Sequence, residues 1–166
     1  MEQKTKNSLL RRRERDQWYN LVIPLERIVP MKHLEVVAAI IRYRDAFLCM
    51  QRDAGKYAYV SYKYEFPGGK VEPGESDPQA LMRELSEEMD IQTNITEDDF
   101  FMTVNHQYPD FSITMHSYLC KVDRPDFVRK VHINHQWLPV EQLDQLDWAP
   151  ADQPIVTELI KRFHRG

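Results

Sequence analysis

The stretch from Gly69 to Ile91, GKVEPGESDPQALMRELSEEMDI, constrains this chain more than any other part of it. Ser76-x-x-Gln79 fits a capping box, and Pro78 falls in a first turn where a missing amide does little harm. The sequence therefore predicts a helix beginning just after Ser76, with Ala80, Leu81 and Leu85 as its apolar stripe. On that helix Glu84, Glu87 and Glu88 stand at i, i+3 and i+4, so three carboxylates share one face. At about 5.5 Å and an effective dielectric of about 20, each close pair costs roughly 3 kcal/mol before water screens it. Such a face is either a solvated acidic surface or a holder of cations. Carboxylates at this density suit a hard, oxygen-seeking ion such as Mg²⁺ or Mn²⁺.

Arg83 precedes Glu84 and reaches Glu87 at i+4, which partly neutralises the cluster and orients its carboxylates, unless it is a plain surface ion pair. Upstream, Pro67-Gly68-Gly69 gives a sharp turn with little side-chain bulk, where backbone groups can approach an ion or phosphate closely. One Gly, four Glu and one Arg at fixed offsets coincide by chance on the order of once in ten million positions. The spacing G-x5-E-x7-R-E-U-x-E-E-x-G-U, with U aliphatic, is met by Gly69, Glu75, Arg83, Glu84, Leu85, Glu87, Glu88 and Ile91. It resembles the Nudix box. Asp90 replaces the late Gly, a substitution compatible with a left-handed helix end, which Asp tolerates better than most residues.

The rest of the chain fits one domain. Its 166 residues, 42 % of them hydrophobic, allow a single sizeable core. Residues 1–30 carry seven Lys/Arg against four Asp/Glu, leaving fifteen against twenty-two in the remainder, so the domain proper is acidic. That disfavours stable nucleic-acid or anionic-lipid binding, whose affinity rests on basic contacts to phosphate, and leaves small phosphates with their own cation as partners. Cys49 and Cys120 sit in apolar segments without metal-type spacing, as reduced core residues do. No apolar run approaches a membrane span and no signal-peptide core is present, so the expected compartment is the cytoplasm.

Residues 1–30, with Arg11-Arg12-Arg13 and Trp18-Tyr19, carry no recognisable chemistry and read as an N-terminal extension ahead of a catalytic domain at 31–166. The Arg cluster leaves a partner contact open, and Met31 is a possible second start. LEVVAAIIRY from Leu34 predicts a strand buried on both faces, with Ala46–Gln51 returning beside it. Arg52 follows as either a surface charge or a contact to substrate. Tyr57, Tyr59, Tyr62 and Tyr64 mostly pack, with some able to face a cleft and stack on a base. Phe100–Tyr108 and Phe111–Val122 flank Pro109-Asp110 as a hairpin holding His106 and His116, which lack metal-ligand spacing. His132–Val140 predicts a last strand with Trp137 as a core anchor, then a short helix, then a C-terminal helix with Pro154 near its start.

The resemblance covers about Met31–Phe163 and implies an α/β/α sandwich around a mixed sheet. EFPGGK and the WAPAD turn are similar to the MutT-type branch. That likeness implies a nucleoside triphosphate substrate, cleaved to a monophosphate and pyrophosphate, with Mg²⁺ or Mn²⁺ held by Glu84, Glu87, Glu88 and the Gly69 carbonyl. It makes Glu84 the base, with Arg83 orienting it and Glu88 as the other candidate, and it points Lys70 at the phosphates. Asp152 would read the base, of the CTP or the 8-oxo-dGTP class, or else merely cap the last helix. A further Glu found in many relatives ahead of the last strand is Val131 here, beside His132 and near His135, so those histidines either replace it or leave the place unfilled. A nucleotide-sensing module that has lost turnover is the alternative reading.

Overall fold

A computed structural model describes residues 30–164, with Lys32–Gly166 forming a compact unit of its own. The readings on Arg11-Arg12-Arg13 and Trp18-Tyr19 lie outside the described residues. The central strand, β1 (Lys32–Tyr43), runs parallel to β6 (Phe111–Lys121) from Lys32↔Phe111 to Arg42↔Lys121. β5 (Phe100–Gln107) pairs antiparallel with β6, as the hairpin around Pro109-Asp110 requires.

The other edge of β1 is shared. Its end pairs with β2 (Ala46–Gln51) through Tyr43↔Ala46, while Val36–Ala38 pair with β4 (Gly68–Lys70). β2 carries β3 (Tyr64–Glu65) and β7 (Asn134–Pro139). The seven-stranded sheet thus forks between β2 and β4, and Phe66-Pro67 crosses the fork, with Pro67 accepting from the Ala39 N–H at 2.7 Å.

β1 is buried on both faces because it alternates between two cores. Val37, Ala39 and Ile41 meet Ala80, Leu81, Leu85 and Met89 of α1 (Asp77–Met89). Ala38 and Ile40 meet Ile155, Val156 and Leu159 of α2 (Gln153–Phe163). At about 1.5–3 kcal/mol for each large side chain buried, these two faces outweigh any helix propensity as the reason α1 and α2 stay docked. The expected α/β/α sandwich with a mixed sheet is what the chain forms.

Cys49 and Cys120 are buried free thiols. Of the two described tryptophans the deeper is Trp148, 2 % exposed, whose Nε1–H donates to the Leu143 carbonyl at 2.6 Å. Trp137, expected as the core anchor, is only partly buried and packs edge-on to Tyr43. The stretch through Tyr59–Tyr62 is a series of turns, with Tyr62 at φ 62°. Among the described residues no helix is long and apolar enough to cross a membrane.

Candidate active site

The carboxylate helix is set by both of its ends. At its start Ser76 Oγ accepts from the Gln79 N–H at 3.3 Å and Gln79 Oε1 accepts from the Ser76 N–H at 2.9 Å. At its end Asp90 adopts φ 54°, ψ 26°, the left-handed conformation expected where the box carries Gly, and pairs with Lys130. The segment between β6 and β7 satisfies two of the last helical carbonyls, with Val128 N–H on Met89 O at 3.0 Å and Lys130 N–H on Glu88 O at 3.3 Å. With the apolar stripe buried, Glu84 is turned onto the glycine turn. A Cβ built on Gly69 would stand 2.3 Å from Glu84 Cδ, and one on Gly68 only 1.9 Å from the Val37 carbonyl oxygen.

Arg83 does more than span to Glu87. Its Nε donates to Glu75 Oε1 at 2.6 Å and Nη2 to Glu75 Oε2 at 3.0 Å, a two-pronged grip, while Nη2 also reaches the Lys70 carbonyl at 3.1 Å. Nη1 donates to Glu84 Oε1 at 2.8 Å and only distantly to Glu87 Oε2, at 3.4 Å. Glu75, unassigned from the sequence, is therefore the main partner of Arg83. The Arg83 hydrogen bonds, then the Glu72 amide, hold the Glu75 carboxyl below its usual range. The Glu88 carboxyl is pushed the other way, first by burial and then by the charge of Glu84, with His132 and Arg52 opposing the shift. Glu87 is the exposed member of the three, its side chain 60 % accessible.

In the β1–β4 ladder, Ala39 N–H donates to Pro67 O and Val71 N–H to Glu35 O. Antiparallel alternation then makes Val37↔Gly69 a pair that exchanges both backbone bonds and turns the Gly68 carbonyl away from β1. The free carbonyl of this turn is on that reasoning Gly68, where the sequence had suggested Gly69.

From the turn a cleft of about 430 Å³ runs along the fork, lined by Arg52, Glu65, Lys70, Tyr108 and Asp152 among others. A larger hollow of about 660 Å³, between Ile91 and Trp137, touches neither the glycine turn nor Asp152, whereas the smaller cleft is lined by both. Tyr57 also faces the cleft, and Tyr59 stacks on Tyr108 with ring centroids 5.1 Å apart. Tyr64 is buried and Tyr62 is exposed.

Asp152 is 5 % exposed, and its Oδ1 accepts from the Phe66 N–H at 2.9 Å. It occupies the N-cap position of α2 without a side-chain capping bond, so capping does not explain it. Burial first, then the charge of Glu65, raises its carboxyl well above the usual range, which favours a neutral acid able to donate as well as accept. Arg52 Nη1 donates to Glu65 Oε2 at 2.6 Å, and His132 Nε2 stands 2.9 Å from Glu65 Oε1. Val131 is 57 % exposed, whereas the neighbouring His132 is buried against the site. His106 packs edge-on to Tyr108, and His116 hydrogen-bonds Thr103 within the hairpin.

A sheet forked beside a carboxylate helix, with a glycine turn pressed onto Glu84, defines a class. Residues 36–158 match the NUDIX domain model, and the chain belongs to that family. It is 33 % identical over 131 residues to the 8-oxo-dGTP diphosphatase of Escherichia coli K12, covering 78 % of this chain and 98 % of that protein. It is 38 % identical over 130 residues to the CTP pyrophosphohydrolase of the same strain, covering 76 % and 90 %. The solution structure of the E. coli ORF135 protein superposes with a TM-score of 0.64 at 34 % identity, covering 81 % of this chain and 94 % of that one.

The divalent cation that the family implies fits the residues present. The donors are all oxygens, and the space a Cβ would fill at Gly69 brings the turn against Glu84. Among the described residues no three His, Cys, Asp or Glu side chains already converge as a metal site. One oxygen of Glu84, Oε1, is engaged by Arg83 Nη1 at 2.8 Å.

Proposed function

We propose that this chain hydrolyses a nucleoside triphosphate, releasing a nucleoside monophosphate and pyrophosphate. The carrying observation is Glu84 pressed onto Gly69, on one helix face with Glu87 and Glu88, where the Gly68-Gly69 turn lines a cleft together with Asp152. The names of the two E. coli relatives support a triphosphate cleaved at an internal anhydride, and a base of either the 8-oxo-guanine or the cytosine class.

Glu84, Glu87, Glu88 and the Gly68 carbonyl would hold Mg²⁺, or Mn²⁺ in its place. Bound there, the ion screens phosphate charge and polarises the phosphorus under attack. Lys70 and Arg52 hold the anionic end of the substrate at the cleft mouth. Glu84, oriented by Arg83, takes the proton from the attacking water; Glu88, whose raised carboxyl is the more basic for its burial, is the second candidate. Asp152, whose carboxyl is pushed toward the neutral form by burial and then by the charge of Glu65, can offer a donor beside an acceptor to a base edge that presents the converse pair.

The test is pyrophosphate release from CTP, dCTP, dGTP and 8-oxo-dGTP, each with and without Mg²⁺. Turnover of at least one of them, absent without the cation and yielding pyrophosphate, is the expected result. Nucleotide binding without turnover would instead make the domain a sensing module, and release of orthophosphate alone would place the attack at the wrong phosphorus.

A further inference from the structure

One wall of the cleft is built by no regular element. Gly55, Lys56, Tyr57 and Val60 line it, all from the segment between β2 and β3. The neck of that loop is tied together, by Arg52 N–H on Lys63 O at 3.0 Å and Gln51 Nε2 donating to Tyr62 O at 2.9 Å. Inside the loop Ser61 Oγ donates to Tyr57 O at 2.9 Å and accepts from the Gly55 N–H at 3.0 Å, so the wall holds its own shape. A compact loop closed at its neck can swing as one piece, unless its far side is fastened.

The far side is fastened to the β5–β6 turn. The Tyr59 hydroxyl donates to Asp110 Oδ2 at 2.9 Å, across 51 residues of chain. Desolvation first, then Asp110, pushes the Tyr59 phenol up to about 12, so it remains the donor throughout neutral pH. Four rings close a circuit around this bond. Tyr57 lies 5.4 Å from Tyr59, Tyr59 5.1 Å from Tyr108, Tyr108 4.9 Å from Phe111, and Phe111 5.3 Å from Tyr57. Two of the rings belong to the loop and two to the hairpin. Tyr57, Tyr108 and Phe111 line the cleft, and Tyr59 does not. Beside them Lys56 Nζ stands 5.1 Å from the Tyr57 centroid and forms no ion pair among the described residues, which leaves its charge for an anion.

Resting on the nucleotide-cleaving reading above, we propose that Tyr59 is a positioning residue: bonded to Asp110, it fastens the loop to the β5–β6 turn and so sets Tyr57 and Lys56 in the cleft wall where the nucleotide meets them. Tyr59 itself does not touch substrate. The ring circuit belongs to the core on the α2 side of β1, whereas the carboxylate helix packs on the other side. Loosening the wall therefore weakens binding and spares the chemical step.

The experiment measures kcat and KM on CTP, dGTP and 8-oxo-dGTP for wild type, Tyr59→Phe, Asp110→Ala, Asp110→Asn and the Tyr59→Phe/Asp110→Ala double variant. Each of Tyr59→Phe and Asp110→Ala, by deleting one hydrogen bond, should raise KM at least about twofold and up to about tenfold, with kcat within about twofold and Tm little changed. The double variant should be no worse than either single change, because both remove the same bond. Asp110→Asn, whose amide oxygen still accepts, should stay within about twofold of wild type. Without nucleotide, trypsin cleavage after Lys56 should run at least about threefold faster in Tyr59→Phe, as a loosened wall requires.

The proposal is overturned if KM in Tyr59→Phe or Asp110→Ala stays below that twofold rise, or if the two effects multiply in the double variant. A lower KM would make the bond a bar to entry, and a fall in kcat in place of the KM rise would tie Tyr59 to the chemistry; either overturns it. So does a KM rise with unchanged trypsin cleavage, which would put the phenol on the nucleotide itself, or an Asp110→Asn as poor as Asp110→Ala. Should Asp110→Ala fail to fold, Asp110→Ser, too short to reach the phenol, must show the same KM rise. If wild type turns over none of the three nucleotides, the hydrolase reading fails by itself, and the same comparison is made on equilibrium Kd. Wild type that binds none of them removes the nucleotide the wall was to meet, and the inference with it.

Discussion

Replacing Gly69 with alanine should separate activity from stability. The added Cβ would stand 2.3 Å from Glu84 Cδ and 2.4 and 2.6 Å from its two oxygens. Ordinary carbon contact is about 3.5 Å, so the carboxylate must retreat by roughly 1.2 Å. It sits at the end of a flexible side chain, and Gly69 is not held at positive φ, so the backbone has no reason to move. The fold loses at most the Arg83–Glu84 contact at 2.8 Å, between partly exposed groups, about 0.5 kcal/mol after screening. The reduced freedom of the unfolded chain returns a similar amount, about 0.4–1 kcal/mol. A displacement of about 1 Å at a reacting or ligating group costs roughly a hundredfold in rate, or about 2.7 kcal/mol of transition-state stabilisation. The expected result is a Tm within about 3 °C of wild type and pyrophosphate release down about a hundredfold. Gly68→Ala is the contrast, because its Cβ meets the Val37 backbone oxygen at 1.9 Å, and it should lose Tm as well. Wild-type turnover in Gly69→Ala, or unfolding of both variants alike, would refute the placement of Glu84 at the centre of the chemistry.

Glu88→Gln should lower turnover by roughly 10²–10⁴-fold while Tm holds or rises, since a half-buried like charge beside Glu84 is removed; unchanged turnover would take Glu88 out of the site. Burial and the charge of Glu65 raise the Asp152 carboxyl above its unfolded range, so the folded state holds a proton the unfolded chain releases. Stability therefore falls as pH climbs from the unfolded value through the folded one, and Asp152→Asn, which keeps an acceptor for the Phe66 N–H, should flatten that slope in denaturant titrations from pH 4 to pH 8. The same variant should shift the CTP to 8-oxo-dGTP preference in kcat/KM by about 1–3 kcal/mol if Asp152 reads the base. Asp90→Gly should be neutral or stabilising by up to about 1 kcal/mol, the relief of a left-handed Asp outweighing an exposed Lys130 pair, as urea midpoints would show. A chain beginning at Met31 should match the full chain in Tm and turnover; a large loss of either would make residues 1–30 part of the working domain.

What could be read in advance was local. The box, the capping box and the left-handed Asp90 each declare themselves within one or two turns of chain, and the unbroken apolar run of β1 declares a strand covered on both sides. What could not be read depends on pairings across long separations. Glu65 and His132 are 67 residues apart and Phe66 and Asp152 are 86 apart. β3 and β4, with two and three residues, are too short to show any period, yet they build the fork that holds the site. Arg83 was assigned the partner its helix offered at i+4, and the structure prefers Glu75, which lies ahead of the helix N-cap. EFPGGK did contain Glu65, and a carboxylate beside the buried Phe66 and Pro67 was a signal that it would need a partner.

The parallel pairing of β1 with β6 also sets the order in which this protein can assemble. Its partners lie 79 residues apart in the chain, from Lys32↔Phe111 onward, so the middle of the sheet is closed by a non-local contact whose loop entropy must be met first. During synthesis the apolar run Val37–Ile41 leaves the ribosome well before Phe111–Lys121 exists. For that interval β1 presents an unpaired edge flanked by two uncovered apolar faces, the species most exposed to aggregation. Slow refolding from denaturant, and inclusion-body formation when translation outruns chaperone capacity, are the expected consequences of a central strand that precedes its parallel partner by 79 residues.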